Sequence, residues 1–194
     1  LADNWVSVTG PQVPFLTGGV YLADYDGDGR VDCLLTDING LALYRGLPGG
    51  RFEDVTTATG LPRNHNDLQA VWADFDNDGD TDLVLGTELY RNEDGTRFVL
   101  VEAETSGLEL EEGTGFAVAD VDRDGLLDLY VVGIDRSTSG QKWIGKNDSN
   151  HNQLWHNRGE LKFQNVTSST GTAGRGTSTF AAVFFDANAD GWPD

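Results

Sequence analysis

The chain has 194 residues, with 25 glycines, 5 prolines, no methionine, 38% hydrophobic residues and a formal net charge of −19. So acidic a surface repels phosphate and argues against a nucleic-acid partner or an anionic membrane, and no run of about 18 apolar residues is present to span a bilayer. A single cysteine, Cys33, excludes an intramolecular disulfide and, in the apolar run 31–35, reads as a small buried hydrophobe.

In chain order, the first element is Trp5-Val-Ser-Val-Thr9, an aromatic-led alternating strand. An apolar strand, Val20 to Ala23, enters the acidic loop Asp24-Tyr-Asp-Gly-Asp-Gly-Arg-Val-Asp32, and a second strand, Val31 to Leu35, leaves it. A third strand carries Leu43-Tyr-Arg-Gly46 and a fourth carries Phe52-Glu-Asp-Val-Thr56, followed by Thr59-Gly-Leu61. A turn-like segment, 62–67, holds His65.

The same order then returns. Ala70 to Ala73 enters Asp74-Phe-Asp-Asn-Asp-Gly-Asp-Thr-Asp82, and Asp82 to Leu85, Leu89-Tyr-Arg-Asn92 and Phe98-Val-Leu-Val-Glu102 follow, with Thr105-Ser-Gly-Leu108 behind them. The third unit runs from Phe116 to Ala119 through Asp120-Val-Asp-Arg-Asp-Gly-Leu-Leu-Asp128 to Leu127 to Val132, Leu154-Trp-His-Asn157 and Phe163-Gln-Asn-Val-Thr167. Its polar insertion, 134–152, carries Trp143 and His151 and reads as a surface loop. Last, Phe180 to Phe185 is expected as a strand entering Asp186-Ala-Asn-Ala-Asp-Gly-Trp-Pro-Asp194.

Four short strands per period of about 45–50 residues is the pattern of a propeller blade. The expected fold is therefore all-β, a β-propeller of four-stranded blades in one domain, 1–194. The repeat units fall near 18–61, 68–108 and 114–174, with a partial unit at 178–194. Residues 1–10 are expected to give a strand to a neighbouring blade, and the ends, out of phase with the blades, suggest a piece of a longer array.

The loops share the pattern D-x-[D/N]-x-D-G-x-x-D. Calcium is a hard cation that takes about 6–8 oxygen ligands, and alternating carboxylates round a glycine turn supply several from one segment. The spacing predicts side-chain ligands Asp24, Asp26, Asp28 and Asp32 with the Arg30 carbonyl; Asp74, Asp76, Asp78 and Asp82 with the Asp80 carbonyl; and Asp120, Asp122, Asp124 and Asp128 with the Leu126 carbonyl. In the fourth loop it predicts Asp186, Asn188, Asp190 and Asp194 with the Trp192 carbonyl, a weaker site because Asn188 is neutral. Up to four Ca²⁺ are expected. Magnesium fits less well because it keeps a small octahedral water shell. An EF-hand would need Glu at loop position twelve, where Leu35, Leu85 and Val131 stand in apolar strands.

These loops resemble the FG-GAP repeats of integrin α-subunit propellers, called VCBS repeats in bacterial secreted proteins. The Leu-Tyr-Arg and Phe-x-Asp-Val-Thr elements with Thr-Gly-Leu resemble the cartilage-acidic-protein type of propeller. The resemblance implies a multi-bladed propeller, commonly of seven blades, with structural Ca²⁺ and a secreted or periplasmic location.

Three functions stay open on the sequence. A non-catalytic interaction, adhesion or scaffold module with a protein partner leads, because no catalytic constellation accompanies the loops. A glycan-binding propeller would use an exposed aromatic among Trp72, Trp143, Trp155 and Trp192, although Trp72 and Trp155 sit in strands and read as packing. An enzyme would draw on His65, His151 or His156, each of which reads more simply as a polar surface residue.

Overall fold

The computed structural model describes residues 18–37, 39–65, 69–110, 114–133, 152–174 and 179–194. The terminal strand expected at Trp5 and most of the insertion, with Trp143 and His151, lie outside them.

The described residues form three four-stranded antiparallel sheets, each a meander in chain order. The first holds β1 (Val20–Ala23), β2 (Asp32–Asp37), β3 (Gly40–Leu47) and β4 (Arg51–Asp54). The second holds β5 (Ala70–Ala73), β6 (Asp82–Leu85), β7 (Glu88–Glu93) and β8 (Arg97–Val101). The third holds β9 (Gly115–Ala119), β10 (Asp128–Val132), β11 (Gln153–Asn157) and β12 (Phe163–Asn165). The first strands β1, β5 and β9 approach one another, so the sheets fan out from that side as propeller blades do.

The core lies between the blades. Tyr25, Leu34, Leu43, Leu83, Leu85 and Phe98 pack the first sheet on the second, and Phe75, Val84, Leu89, Leu129, Trp155 and Phe163 pack the second on the third. Successive side chains of a strand point to opposite faces. In β6, Leu83 and Leu85 therefore meet one neighbour while Val84 meets the other, and all of β6 is buried. In β2 alternate residues are buried, because one face alone meets another described blade. Cys33 is one of its half-buried residues, so the thiol is less enclosed than its apolar run suggests.

The fourth strand of a blade ends in a repeated latch. The hydroxyl oxygen of Thr56 accepts a hydrogen bond from the Leu43 amide at 2.9 Å, and that of Thr167 does the same from the Leu154 amide at 2.9 Å. The chain then turns into α1 (Ala103–Ser106) behind the second sheet and α2 (Thr167–Thr170) behind the third, short helices the sequence reading did not include. Gly107 closes α1 with φ 69°, and a Cβ there would stand 2.8 Å from the Phe163 carbonyl oxygen of the next blade. Both facts require glycine, and they explain the Thr-Ser-Gly-Leu element as a tight turn against the following blade.

One expected strand is absent. Residues 180–185 form no strand and belong to no sheet. A strand needs a ladder partner, and among the described residues no second strand of a fourth blade lies beside them. Phe185 and Asp194 pair through their backbones across the loop instead.

Candidate metal centres

Each of the first three acidic loops joins the first strand of a blade to its second, so these loops occupy the same end of each sheet. They touch one another along it. Asn77 Nδ2 donates to the Gly125 carbonyl at 2.8 Å, linking the second loop to the third, and the Arg123 guanidinium lies 5.1 Å from the Trp192 ring centroid, linking the third to the fourth.

The backbone winds round a small space because two residues per loop are left-handed. Position six is always glycine, at Gly29, Gly79, Gly125 and Gly191. Position four is left-handed too, but held by Gly27, Asn77, Arg123 and Ala189, which hid it from the sequence reading. The position-one carboxylate holds the turn: Asp24, Asp74, Asp120 and Asp186 each accept from the glycine amide at position six, at 2.7–3.0 Å. Position five receives the amide of position seven: Arg30, Asp80, Leu126 and Trp192 donate to Asp28, Asp78, Asp124 and Asp190 at 2.8–2.9 Å.

The ninth-position aspartates tie the loop to the sheet. Asp32, Asp82 and Asp128 are almost fully buried. Each accepts from the position-two amide with one oxygen, from Tyr25, Phe75 and Val121 at 2.9–3.0 Å. Each accepts from the third strand with the other, from Gly46, Asn92 and Asn157 at 2.7–2.9 Å. In the fourth loop Asp194 is exposed and receives the Ala187 amide at 2.9 Å.

The residues converge differently in each loop. Carboxylate oxygens of Asp24, Asp26 and Asp32 lie within 4.8 Å of one another, as do those of Asp74, Asp76 and Asp78 and those of Asp120, Asp122 and Asp124. In the first loop Asp28 pairs with the Arg30 guanidinium. The carboxylates of the fourth loop form no such group.

Electrostatics favour a cation. Burial raises the carboxyl pKa of Asp26 and of Asp76, and neighbouring loop carboxylates raise both further. Burial also raises Asp32, and pushes Asp82 up to about 7. Asp74 Oδ1 and Asp76 Oδ1 are buried with no hydrogen-bond partner. Oxygens so desolvated and so crowded fit a hard divalent ion, which supplies the missing partner and offsets the repulsion.

Two histidines expected at the surface are not there. His65 is mostly enclosed, with Nε2 2.8 Å from Glu88 Oε2. His156 is buried, with Nδ1 2.8 Å from Asp128 Oδ1. Trp155 is buried and Trp72 packs on Phe98 with ring centroids 5.7 Å apart, so both are packing residues. Trp192 is 46% exposed under Arg123.

Residues 17–85 match the model of the FG-GAP-like repeat. The chain is 33% identical over 131 residues to human cartilage acidic protein 1, an alignment covering 58% of this chain and 20% of that protein. It therefore spans about a fifth of that relative's length. Among solved structures, the Vibrio cholerae biofilm matrix protein Bap1 aligns with a TM-score of 0.42 at 17% identity, over 75% of this chain and 19% of that one. An Agrocybe aegerita lectin that recognises non-reducing terminal N-acetylglucosamine aligns with a TM-score of 0.45 at 19% identity, over 77% of this chain and 38% of that one. The match to the FG-GAP-like repeat covers residues 17–85, and the described residues fold as all-β, four-stranded propeller blades.

Proposed function

We propose that this chain is a calcium-stiffened, non-catalytic interaction module that works outside the cytosol. The observation that carries the reading is the second loop, where Asp74 Oδ1 and Asp76 Oδ1 are buried without partners beside Asp78. A calcium ion there satisfies both and fixes a loop that also touches the third blade through Asn77. The metal thus sets the spacing of neighbouring blades, and a rigid blade array presents its loops to a protein partner. Loops of this type fill where calcium is near millimolar, which fits an extracellular or periplasmic site; a relative named for cartilage points the same way. Among the described residues no helix is long and apolar enough to cross a membrane.

The test is thermal unfolding in excess calcium and in chelator at constant magnesium. Calcium at a hundredfold excess over its dissociation constant should add about 2.7 kcal/mol per site. Asp76→Ala and Asp26→Ala should each remove one site's share. An unchanged melting temperature in calcium and in chelator would sink the proposal.

A further inference from the structure

The first two loops are joined by a run of buried hydrogen bonds. It starts at Phe75, which lies between Asp74 and Asp76 in the second loop. The Phe75 amide donates to Asp82 Oδ2 at 3.0 Å, and Asp82 Oδ1 accepts the Asn92 amide at 2.9 Å. Asn92 Nδ2 then crosses to the first blade and donates to the Tyr25 carbonyl at 2.8 Å, and the Tyr25 amide donates to Asp32 Oδ2 at 3.0 Å. Tyr25 lies between Asp24 and Asp26, the two carboxylates that converge with Asp32. Asp32, Asp82 and Asn92 are each at most 1% exposed, so water does not compete for these bonds.

A second contact runs beside the first. β7 and β8 turn at Gly95, whose φ is 63°, and a Cβ there would stand 2.9 Å from Asp26 Cα and 3.0 Å from the Asp26 carbonyl oxygen. The hairpin of the second blade therefore sits directly on a carboxylate-bearing residue of the first loop. In the first blade Gly46 takes the place of Asn92, and its amide makes the same bond to the ninth-position aspartate, Asp32 Oδ1, at 2.7 Å. The backbone bond alone thus serves a blade's own loop, and the Asn92 side chain adds the reach to the neighbouring one.

A cation biases the far end of this run. In the second loop Asp74 Oδ1 and Asp76 Oδ1 are buried without hydrogen-bond partners. With no ion bound, opening the loop lets water reach both oxygens and relieves the repulsion between carboxylates; with an ion bound, the closed loop is favoured. Opening displaces Phe75, which these two aspartates flank, and Phe75 is fixed through Asp82 and Asn92 to Tyr25. The second loop is a two-state element, and the first loop is tied to its state.

We propose that calcium binding in the second loop is coupled to calcium binding in the first, and that Asn92 carries the coupling. The proposal rests on the calcium reading and deepens it: the two sites fill together, so the array stiffens over a narrow range of calcium concentration. Coupling between sites is reciprocal and typically changes affinity about 5–150-fold.

The experiment titrates Ca²⁺ into the whole ¹⁵N-labelled chain and follows the amides of Gly29 and Gly79, the position-six glycines that report the two loops separately. Wild type is compared with Asp76→Ala, which disables the second site, with Asn92→Ala, and with the double variant. Asp76→Ala should weaken calcium binding read at Gly29 by at least about fivefold, and Asp26→Ala should weaken binding read at Gly79 by the same factor. In the Asn92→Ala background, Asp76→Ala should leave Gly29 nearly unchanged, an uncoupling that plain destabilisation does not produce. Should Asn92→Ala fail to fold, wild type itself decides, because coupled sites give sigmoidal curves at both glycines over one calcium range. Hyperbolic curves at both glycines, or an Asp76→Ala variant whose Gly29 titrates as in wild type, overturn the coupling and keep the calcium reading. Glycines indifferent to calcium overturn both.

Discussion

Asn157 Nδ2 donates to the carbonyl of Phe75 at 2.7 Å, joining the third strand of one blade to the acidic loop of the blade before it. Asn92 makes the same bond to the Tyr25 carbonyl at 2.8 Å. Each amide also binds its own blade, at Leu127 and Thr81, both at 3.0 Å. Phe75 and Tyr25 are the loop residues whose amides the ninth-position aspartates hold. Loop shape and blade spacing are therefore one network.

Breaking that network should be costly. Asn157→Ala leaves the Phe75 carbonyl without this buried partner and also removes the acceptor of the Gly159 amide, which Asn157 Oδ1 holds at 2.9 Å. Each buried polar group left unsatisfied costs about 1–3 kcal/mol. The expected loss is about 2–4 kcal/mol in denaturant unfolding at fixed calcium. A loss under about 0.5 kcal/mol, the size of an ordinary surface change, would mean the staple is redundant.

Two glycines separate strain from crowding. Gly125 has φ 91° with open space where a Cβ would go, whereas Gly107 has φ 69° and the Phe163 carbonyl oxygen 2.8 Å from that point. Gly125→Ala should cost about 1–2 kcal/mol, the left-handed penalty alone. Gly107→Ala should cost clearly more, because the next blade must also shift. Melting curves of the two variants side by side test the order, and equal losses would show that the blade contact yields freely.

Much of this was legible before any coordinates, for a definite reason. The repeats place strands and loops in phase, so β5, β7 and the Asp74 loop fall where the alternation puts them. The sequence was silent where function depends on residues far apart in the chain. Asn92 and Asn157 stood out as repeat residues, but their carbonyl partners lie 67 and 82 positions away. His156 looked like a surface replacement of arginine because its buried partner, Asp128, lies 28 positions away. Residues 180–185 have a strand's composition without the ladder that would make them one.

The interblade core predicts a contrast within one sheet. Leu83 on β6 is fully buried between the first two blades, whereas Leu100 on β8 is 40% exposed. Leu83→Ala should lose about 2–5 kcal/mol through lost burial and a residual cavity. Leu100→Ala should stay within about 0.5 kcal/mol. Denaturant midpoints of both variants at the same calcium concentration decide it, and similar losses would mean the blades do not pack through β6.

Acid should loosen the end of the first blade through Asp54. Burial pushes this carboxyl up, but the Arg63 guanidinium at 2.7 Å and the Thr56 hydroxyl and amide outweigh it and hold its pKa below the ordinary aspartate value. A carboxyl depressed in the folded state contributes stability that is fully present above its unfolded pKa, near 3.9, and is lost as pH falls through the folded value. Wild type should therefore lose stability below about pH 4 more steeply than Asp54→Asn. The latch matters because Thr56, which Asp54 holds, also binds Leu43 in the interblade core. Unfolding of both proteins across that range, with calcium in excess, tests the prediction. Parallel pH profiles would mean that Arg63 and Thr56 hold Asp54 no better in the folded chain than water does in the unfolded one.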